Sequence, residues 1–506
     1  MNSNFRTILL TVGAPILALI ATMFLFTGKG NLIAAGYIFY VPIFFLLCLF
    51  RPKLGLPLCI LLATMGDLVK RLMLFDTRIQ EQDIALVLLL VPAGIAGLVL
   101  YALFDLFRNW ANTPKGIKVV VFGSIVLAII SVIGSLAGGA GLRTFGGVVN
   151  SSLYFILLGC LPVLFRTRED IIKTIRYLMF VFFPVALYGI KQGIWDFADF
   201  EYEYLRSGLT VEYRQLEETV RRVMSTLGTA VALSTICGCF AGLFFSTVSL
   251  NKKMRLTFSG VIVKVIFGAV FFLATYYTMT RIGYVCFGVS FFTVIVLRSK
   301  ALTMFSIAAV TAAVVYIYAM ADTWWQDDSL RDLQEQIIAG SEVDNVEMEQ
   351  TAKLVTWNAR LESMSHFTRK PEIWTPFGME FAGKEDIKDE LWIHDPLTEI
   401  LVSRGYIGLG IIFTVAIVCG MMLLRFLWSI PKGGDEKLMR FLLAGGFGTA
   451  ATGVSHGVSL FLFPINLVWA LFFGATLALG LMIKRDRKLM MQERRIQREE
   501  EILANQ

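Results

Sequence analysis

Histidine is the scarcest chemistry-bearing residue of this 506-residue chain, with three copies, His366, His394 and His456. They are scattered, and no H-E-x-x-H helix accompanies them, so the sequence argues against a zinc site. The G-x-x-x-x-G-K-S/T loop is missing too, and nucleotide-driven transport is not encoded. Cysteine is present seven times (Cys48, Cys59, Cys160, Cys237, Cys239, Cys286, Cys419), always inside an apolar run, and none is placed for an extracytoplasmic disulfide. Cys237 and Cys239 diverge in direction on a helix and read as small core residues, not as a metal pair. Asp327-Asp328 sits in a broadly acidic run and reads as solvated.

Charge is also sparse. Only 17% of residues are charged, against 56% hydrophobic and a mean hydropathy of +0.68, which excludes an ordinary soluble domain. The apolar runs are continuous over about 20 residues and do not alternate over about 10, so helices and not barrel strands are expected. Arg6 followed by the apolar run Thr7 to Phe26 has no small-x-small cleavage site and reads as an uncleaved first helix. The fold expected is all-α, a polytopic helical membrane protein with roughly 12–14 transmembrane helices.

The runs place spans near 7–27, 32–50, 54–75, 84–104, 117–137, 147–165, 171–194, 223–249, 257–280, 282–298, 301–321, 396–424, 438–456 and 458–483. The third is the weakest and reads as short or partly interfacial, because Asp67, Lys70 and Arg71 interrupt it. Residues 1–321 are thus expected to form helices with short loops, 322–395 one large loop, 396–483 the C-terminal spans and 484–506 a charged tail. The basic connectors at Arg51 to Lys53, Arg108 to Lys118, Arg166 to Arg168, Lys252 to Arg255, Arg298 to Lys300 and Lys432 to Arg440 alternate onto the face that carries the tail. The positive-inside rule makes that face cytoplasmic, with both termini inside. The large loop, with 17 acidic and 7 basic residues, then lies outside. Within it, Leu354, Trp357, Leu361 and Met364 form one stripe of a helix expected over 326–367.

This topology collects the chemistry on one face. The three histidines fall at or near the outer side, and so do Arg222 and Arg281, each at the edge of a span. A guanidinium there needs a carboxylate, a phosphate or water, and snorkelling to headgroups is the plain alternative for Arg281. Arg222, beside Arg221, reads equally as a positive residue at a helix start. A planar fork that stays charged suits a diphosphate better than an ammonium does. His394, where the loop re-enters the bilayer, can accept a proton from a hydroxyl at neutral pH.

The ordered series Arg222-x-x-Ser225-Thr226-x-Gly228, Thr280-Arg281-x-Gly283, Arg360, Pro376-Phe377-Gly378, His394-Asp395 and Gly405-x-x-Gly408 resembles the O-antigen ligase and polymerase superfamily, over about the C-terminal 60% of the chain. The resemblance implies a metal-independent, cofactor-free glycosyltransferase that takes glycan from a polyprenyl diphosphate-linked donor and passes it to a glycan or lipid acceptor. It implies His394 as the catalytic base, Arg222 and Arg281 as the diphosphate clamp and Arg360 as a further donor contact; Asp395, next to His394, and His456, on the same outer face, are candidate supporting residues read from their positions in this chain. The chain departs from the family at Asp395, where asparagine is usual, and at Thr229-Ala230, where Pro-Asn is usual. Asp395 can either orient His394 or cap the helix beginning at Pro396. Membrane lipids and other envelope polysaccharide assembly proteins are the implied partners, and no nucleic acid is. The acidic loop leans the acceptor away from anions, towards a polymerase. A transporter or flippase of lipid-linked sugars is the alternative, for which related halves with interrupted helices are the expected mark.

Overall fold

The computed structural model describes residues 32–75, 81–137, 142–207, 222–246, 261–325, 360–379, 382, 393, 395–454 and 462–504. The architecture is all-helical, as the apolar runs require. In order, the helices are α1 (Leu32–Phe50), α2 (Pro52–Phe75), α3 (Glu81–Arg108), α4 (Lys115–Ala137), α5 (Leu142–Leu164), α6 (Arg168–Trp195), α7 (Asp199–Arg206), α8 (Ala230–Phe245), α9 (Val261–Tyr277), α10 (Arg281–Val296) and α11 (Lys300–Trp325). They continue with α12 over 360–369, then α13 (Pro396–Ser429), α14 (Gly434–Ala450) and α15 (Ile465–Ala504). Among the described residues, seven helices are long and apolar enough to cross a membrane.

The core is organised around α8, whose residues are nearly all buried, as befits a helix that is apolar all round. Phe240 at its centre meets Phe182 of α6, Phe271 of α9 and Phe472 of α15 edge to face, at ring-centroid separations of 5.8, 5.4 and 6.3 Å. Small residues let α10 press against it. A Cβ at Gly238 would stand 2.1 Å from the carbonyl oxygen of Gly283, and one at Gly242 would stand 2.5 Å from that of Phe287. By contrast, α11 leaves most of its apolar surface, including Phe305, Val310 and Val315, exposed, as a lipid-facing helix does.

Two ends of the bundle differ in chemistry. At one, Arg168 bridges Asp435 and Asp486 at 3.0 Å each, Arg166 donates to Tyr101 at 3.1 Å, and Arg487 donates to the carbonyl of Ser429. These contacts tie the start of α6, the end of α13, the start of α14 and the shaft of α15 into a basic end. Thr167 opens α6 there with a capping box, accepting from the amide of Asp170 while the Asp170 carboxylate accepts from its own. The opposite, distal end gathers the termini of α2 and α6, the short α7, the start of α8, the α9–α10 turn, the end of α11, α12 and the start of α13.

The structure corrects several sequence expectations. The third span is neither short nor broken: α2 runs unbroken for 24 residues because Arg71 is neutralised inside the protein. The span expected from residue 223 begins instead at Ala230, where the Thr229 side chain accepts from the amide of Ala232 and starts the helix. Residues 223–229 before it are irregular. The last two spans, expected at 438–456 and 458–483, are helical from Gly434 to Ala450 and from Ile465 onward, and the tail continues α15 as an exposed helix. Of the loop helix expected over 326–367, residues 360–369 are described and helical, with Leu361 buried.

Candidate functional site at the distal end

Arg222 opens the irregular segment 222–229, and its side chain is exposed. The amide of the next residue, Val223, donates to the carbonyl of Tyr277 at 3.4 Å. That bond seats the segment on the turn joining α9 to α10, and the turn carries Arg281. Thr278 shapes it: its hydroxyl donates to the carbonyl of Thr275 at 2.6 Å and lies 2.9 Å from that of Thr280. Arg281 is then the first residue of α10 and is exposed. Gly283 permits the arrangement, since a Cβ there would meet Thr275 Cγ2 at 2.4 Å. Arg222 and Arg281, far apart in the chain, thus sit on abutting segments.

Arg360 joins them from the loop side. It begins the described part of α12 and is half-buried. Burial and the positive charge of Arg281 both lower its pKa from the usual arginine value. It nonetheless keeps its proton at neutral pH, as arginine does in proteins. Two guanidinium groups held near one another are suited to an anion.

The backbone around the arginines is strained. Among the described residues the only non-glycine positions with positive φ are Asp196, Ser225 and Met279, at 67°, 56° and 51°, and all three lie at this end. Ser225 is three residues after Arg222 and Met279 two before Arg281. Such conformations cost about 1–3 kcal/mol each and persist where the surroundings over-determine them.

Those surroundings at Ser225 are polar and buried. Arg71, fully enclosed, donates to the carbonyls of Ser225 and Leu227 and pairs with Glu201 of α7 at 3.4 Å. Gln192 donates to the same carboxylate and accepts from the amide of Ser225 at 2.6 Å. The hydroxyls of Ser225 and Thr226 donate to the carbonyls of Val185 and Thr64, at 2.5 and 2.6 Å. Sequence reasoning missed Arg71, Gln192, Glu201 and Tyr204 as parts of a site. A charge inside an apolar run was the available signal, and it was read only as a weakness of the span.

Asp395 is buried and accepts from the hydroxyl of Tyr318 at the end of α11, from Ser363 of α12 at 2.7 Å, and from the amides of Leu397 and Thr398 at 3.1 and 2.9 Å. Of the two roles expected for it, capping α13 is the one the geometry displays. It also knots three helices together. His394 and His456 themselves lie outside the described residues. His366, on α12, is buried, and its pKa is lowered by burial and by Lys370, with Asp395 acting the other way.

The Pro376-Phe377-Gly378 and Gly405-x-x-Gly408 segments form one unit. Met379 donates to the carbonyl of Val402 at 2.8 Å, Tyr406 to that of Thr375 at 3.0 Å and Ile407 to that of Pro376 at 3.2 Å. Gly405 interrupts α13 with φ 68°, and a Cβ there would lie 2.2 Å from the Pro376 oxygen. The end of the loop is thereby stitched to the first turns of α13. Below, an apolar cavity of about 260 Å³ runs between α4, α5, α13, α14 and α15, from Ile400 down to Leu423.

The sequence matches no protein-family model and no curated protein.

Proposed function

We propose that this chain is an integral membrane glycosyltransferase that takes its sugar from a polyprenyl diphosphate-linked donor, as its resemblance to the O-antigen ligase and polymerase superfamily implies. The observation that carries the reading is the meeting of Arg222, Arg281 and Arg360, from three separate parts of the chain, at one end of the bundle. Fixed guanidinium groups there suit both the donor's diphosphate and the lipid diphosphate that departs. The acceptor hydroxyl attacks the anomeric carbon as the bond to the diphosphate oxygen breaks. His394 takes the hydroxyl proton, and the arginines hold the charge that develops on the leaving group. The distal end faces the periplasm of a bacterial inner membrane in this reading, because the opposite end holds the basic connectors. An activated diphosphate supplies the driving force in a compartment without ATP. The apolar cavity under Ile400 supports a substrate with a hydrocarbon chain.

Purified protein given a polyprenyl diphosphate oligosaccharide and a glycan acceptor is expected to lengthen or transfer the glycan, and His394→Ala and Arg281→Ala to lose that activity. Equal transfer by both variants overturns the mechanism. Movement of the lipid-linked sugar between leaflets, with no new glycosidic bond, replaces it with a flippase.

A further inference from the structure

We propose that Arg71 is the positioning residue of the proposed donor site, holding the 222–229 segment in the one conformation that places Arg222 beside the turn of Arg281. This rests on the reading of the site given above. The guanidinium is fully enclosed, so it does not itself touch a ligand. Its fork instead spans two carbonyls of the segment, Ser225 and Leu227, one on each side of Thr226.

The side chains that hold Arg71 are themselves anchored. The Glu201 carboxylate that balances its charge also accepts from the amide of Ala198, at 2.9 Å, and from Gln192. The ring of Tyr204, one turn along α7, lies 5.3 Å from the guanidinium carbon, and its hydroxyl accepts from Lys70 at 3.0 Å. Gln192 closes the circuit on the amide of Ser225. Residue 225 therefore has its amide, its carbonyl and its hydroxyl all fixed by α2 and α6, which is what allows a non-glycine residue to stay at φ 56°. A lysine keeps the charge but cannot span two carbonyls with a planar fork.

The test uses full-length protein in detergent. Spin labels at Arg222→Cys and Trp195→Cys report the segment's position against the end of α6. All seven native cysteines are buried, which keeps labelling selective. Farnesyl diphosphate, added to unlabelled protein, reports affinity. A narrow 222–195 distance distribution is expected in the parent. Arg71→Lys is expected to broaden or displace it and to weaken farnesyl diphosphate binding about tenfold, the scale of one charge-assisted contact. A purely structural arginine predicts otherwise: a lower melting temperature, with distance and affinity unchanged in the folded fraction, and that result overturns the proposal. Should Arg71→Lys fail to fold, the paired Arg71→Met and Glu201→Met replacement removes both buried charges together, and the same two readouts decide. Absence of farnesyl diphosphate binding by the parent counts against the donor site, while the distance measurement still decides the role of Arg71.

Discussion

Arg281, the first residue of α10, presses its positive charge on Arg360, the first described residue of α12, and lowers the latter's hold on its proton. The packing brings the two charges within reach of one another. It arises because the end of the large loop is tied down twice, by Asp395 to Ser363 and by residues 375–379 to the first turns of α13.

Like charges kept together without a ligand oppose folding slightly and favour an anion strongly. Arg360→Gln is therefore expected to leave the ligand-free protein unchanged or more stable by at most about 0.5 kcal/mol, since the site is partly solvated. The same substitution is expected to erase most of the thermal stabilisation that inorganic diphosphate gives the wild type. Melting curves with and without diphosphate check both halves. An Arg360→Gln protein that diphosphate stabilises as much as it does the wild type removes Arg360 from the site.

Gly405 is expected to tolerate no side chain. Gly405→Ala places a methyl group against the Pro376 carbonyl and forces a Cβ into left-handed backbone, a combination worth about 2–4 kcal/mol. Gly378, at φ 104° and with the Ser403 oxygen 2.7 Å from its would-be Cβ, is expected to behave alike. Denaturation midpoints of Gly405→Ala, Gly378→Ala and the open control Gly410→Ala, which has nothing within 4 Å, separate steric cost from helix propensity. Equal midpoints for all three contradict the packing described.

Asp395→Ala should cost more than the loss of an ordinary helix cap, about 1–2 kcal/mol, because the hydroxyls of Tyr318 and Ser363 also lose their acceptor. Tyr318→Phe removes one donor and leaves the cap, so a smaller effect is expected. Asp395→Asn keeps one acceptor oxygen for the amides and should fall between them. A ranking in which Tyr318→Phe is the most damaging denies the capping role.

His366 gives a pH dependence of definite sign. Its folded pKa lies below its ordinary value near 6.5, so between those two values the unfolded chain binds the extra proton. Its contribution to stability is complete above about 6.5 and is lost as the pH falls through that window. His366→Leu is expected to flatten the decline in melting temperature between pH 7.5 and 5.5. Glu362, whose pKa burial raises, acts at lower pH and in the opposite direction, its stabilising effect growing as the pH falls. A variant whose decline matches the wild type assigns the dependence to other groups.

Much of the fold was legible from hydropathy alone. Runs such as Lys300 to Ala321 have to be helices in an apolar solvent, because a helix satisfies its own backbone hydrogen bonds. The segment 223–229 was not legible, since Val223, Met224 and Leu227 are as apolar as any helix face. What ends the helix there is a set of polar partners supplied by Thr64, Arg71, Val185 and Gln192, and hydropathy does not see partners. The same limit turned Arg71 from an anchor into an apparent flaw in its span.

The sequence by itself determined a helical membrane chain, the division of its basic connectors, and the residue types able to grip a diphosphate, because hydrophobic run length and charge are properties of each segment taken alone. Only the tertiary structure decided that the segments of Arg222 and Arg281 abut, that the charge of Arg281 reaches Arg360, and that a buried arginine, a glutamate and a glutamine anchor the segment Arg222 opens. Convergence of this kind depends on which helices pack together, and close packing is settled by pairs such as Gly238 with Gly283 that no single segment contains.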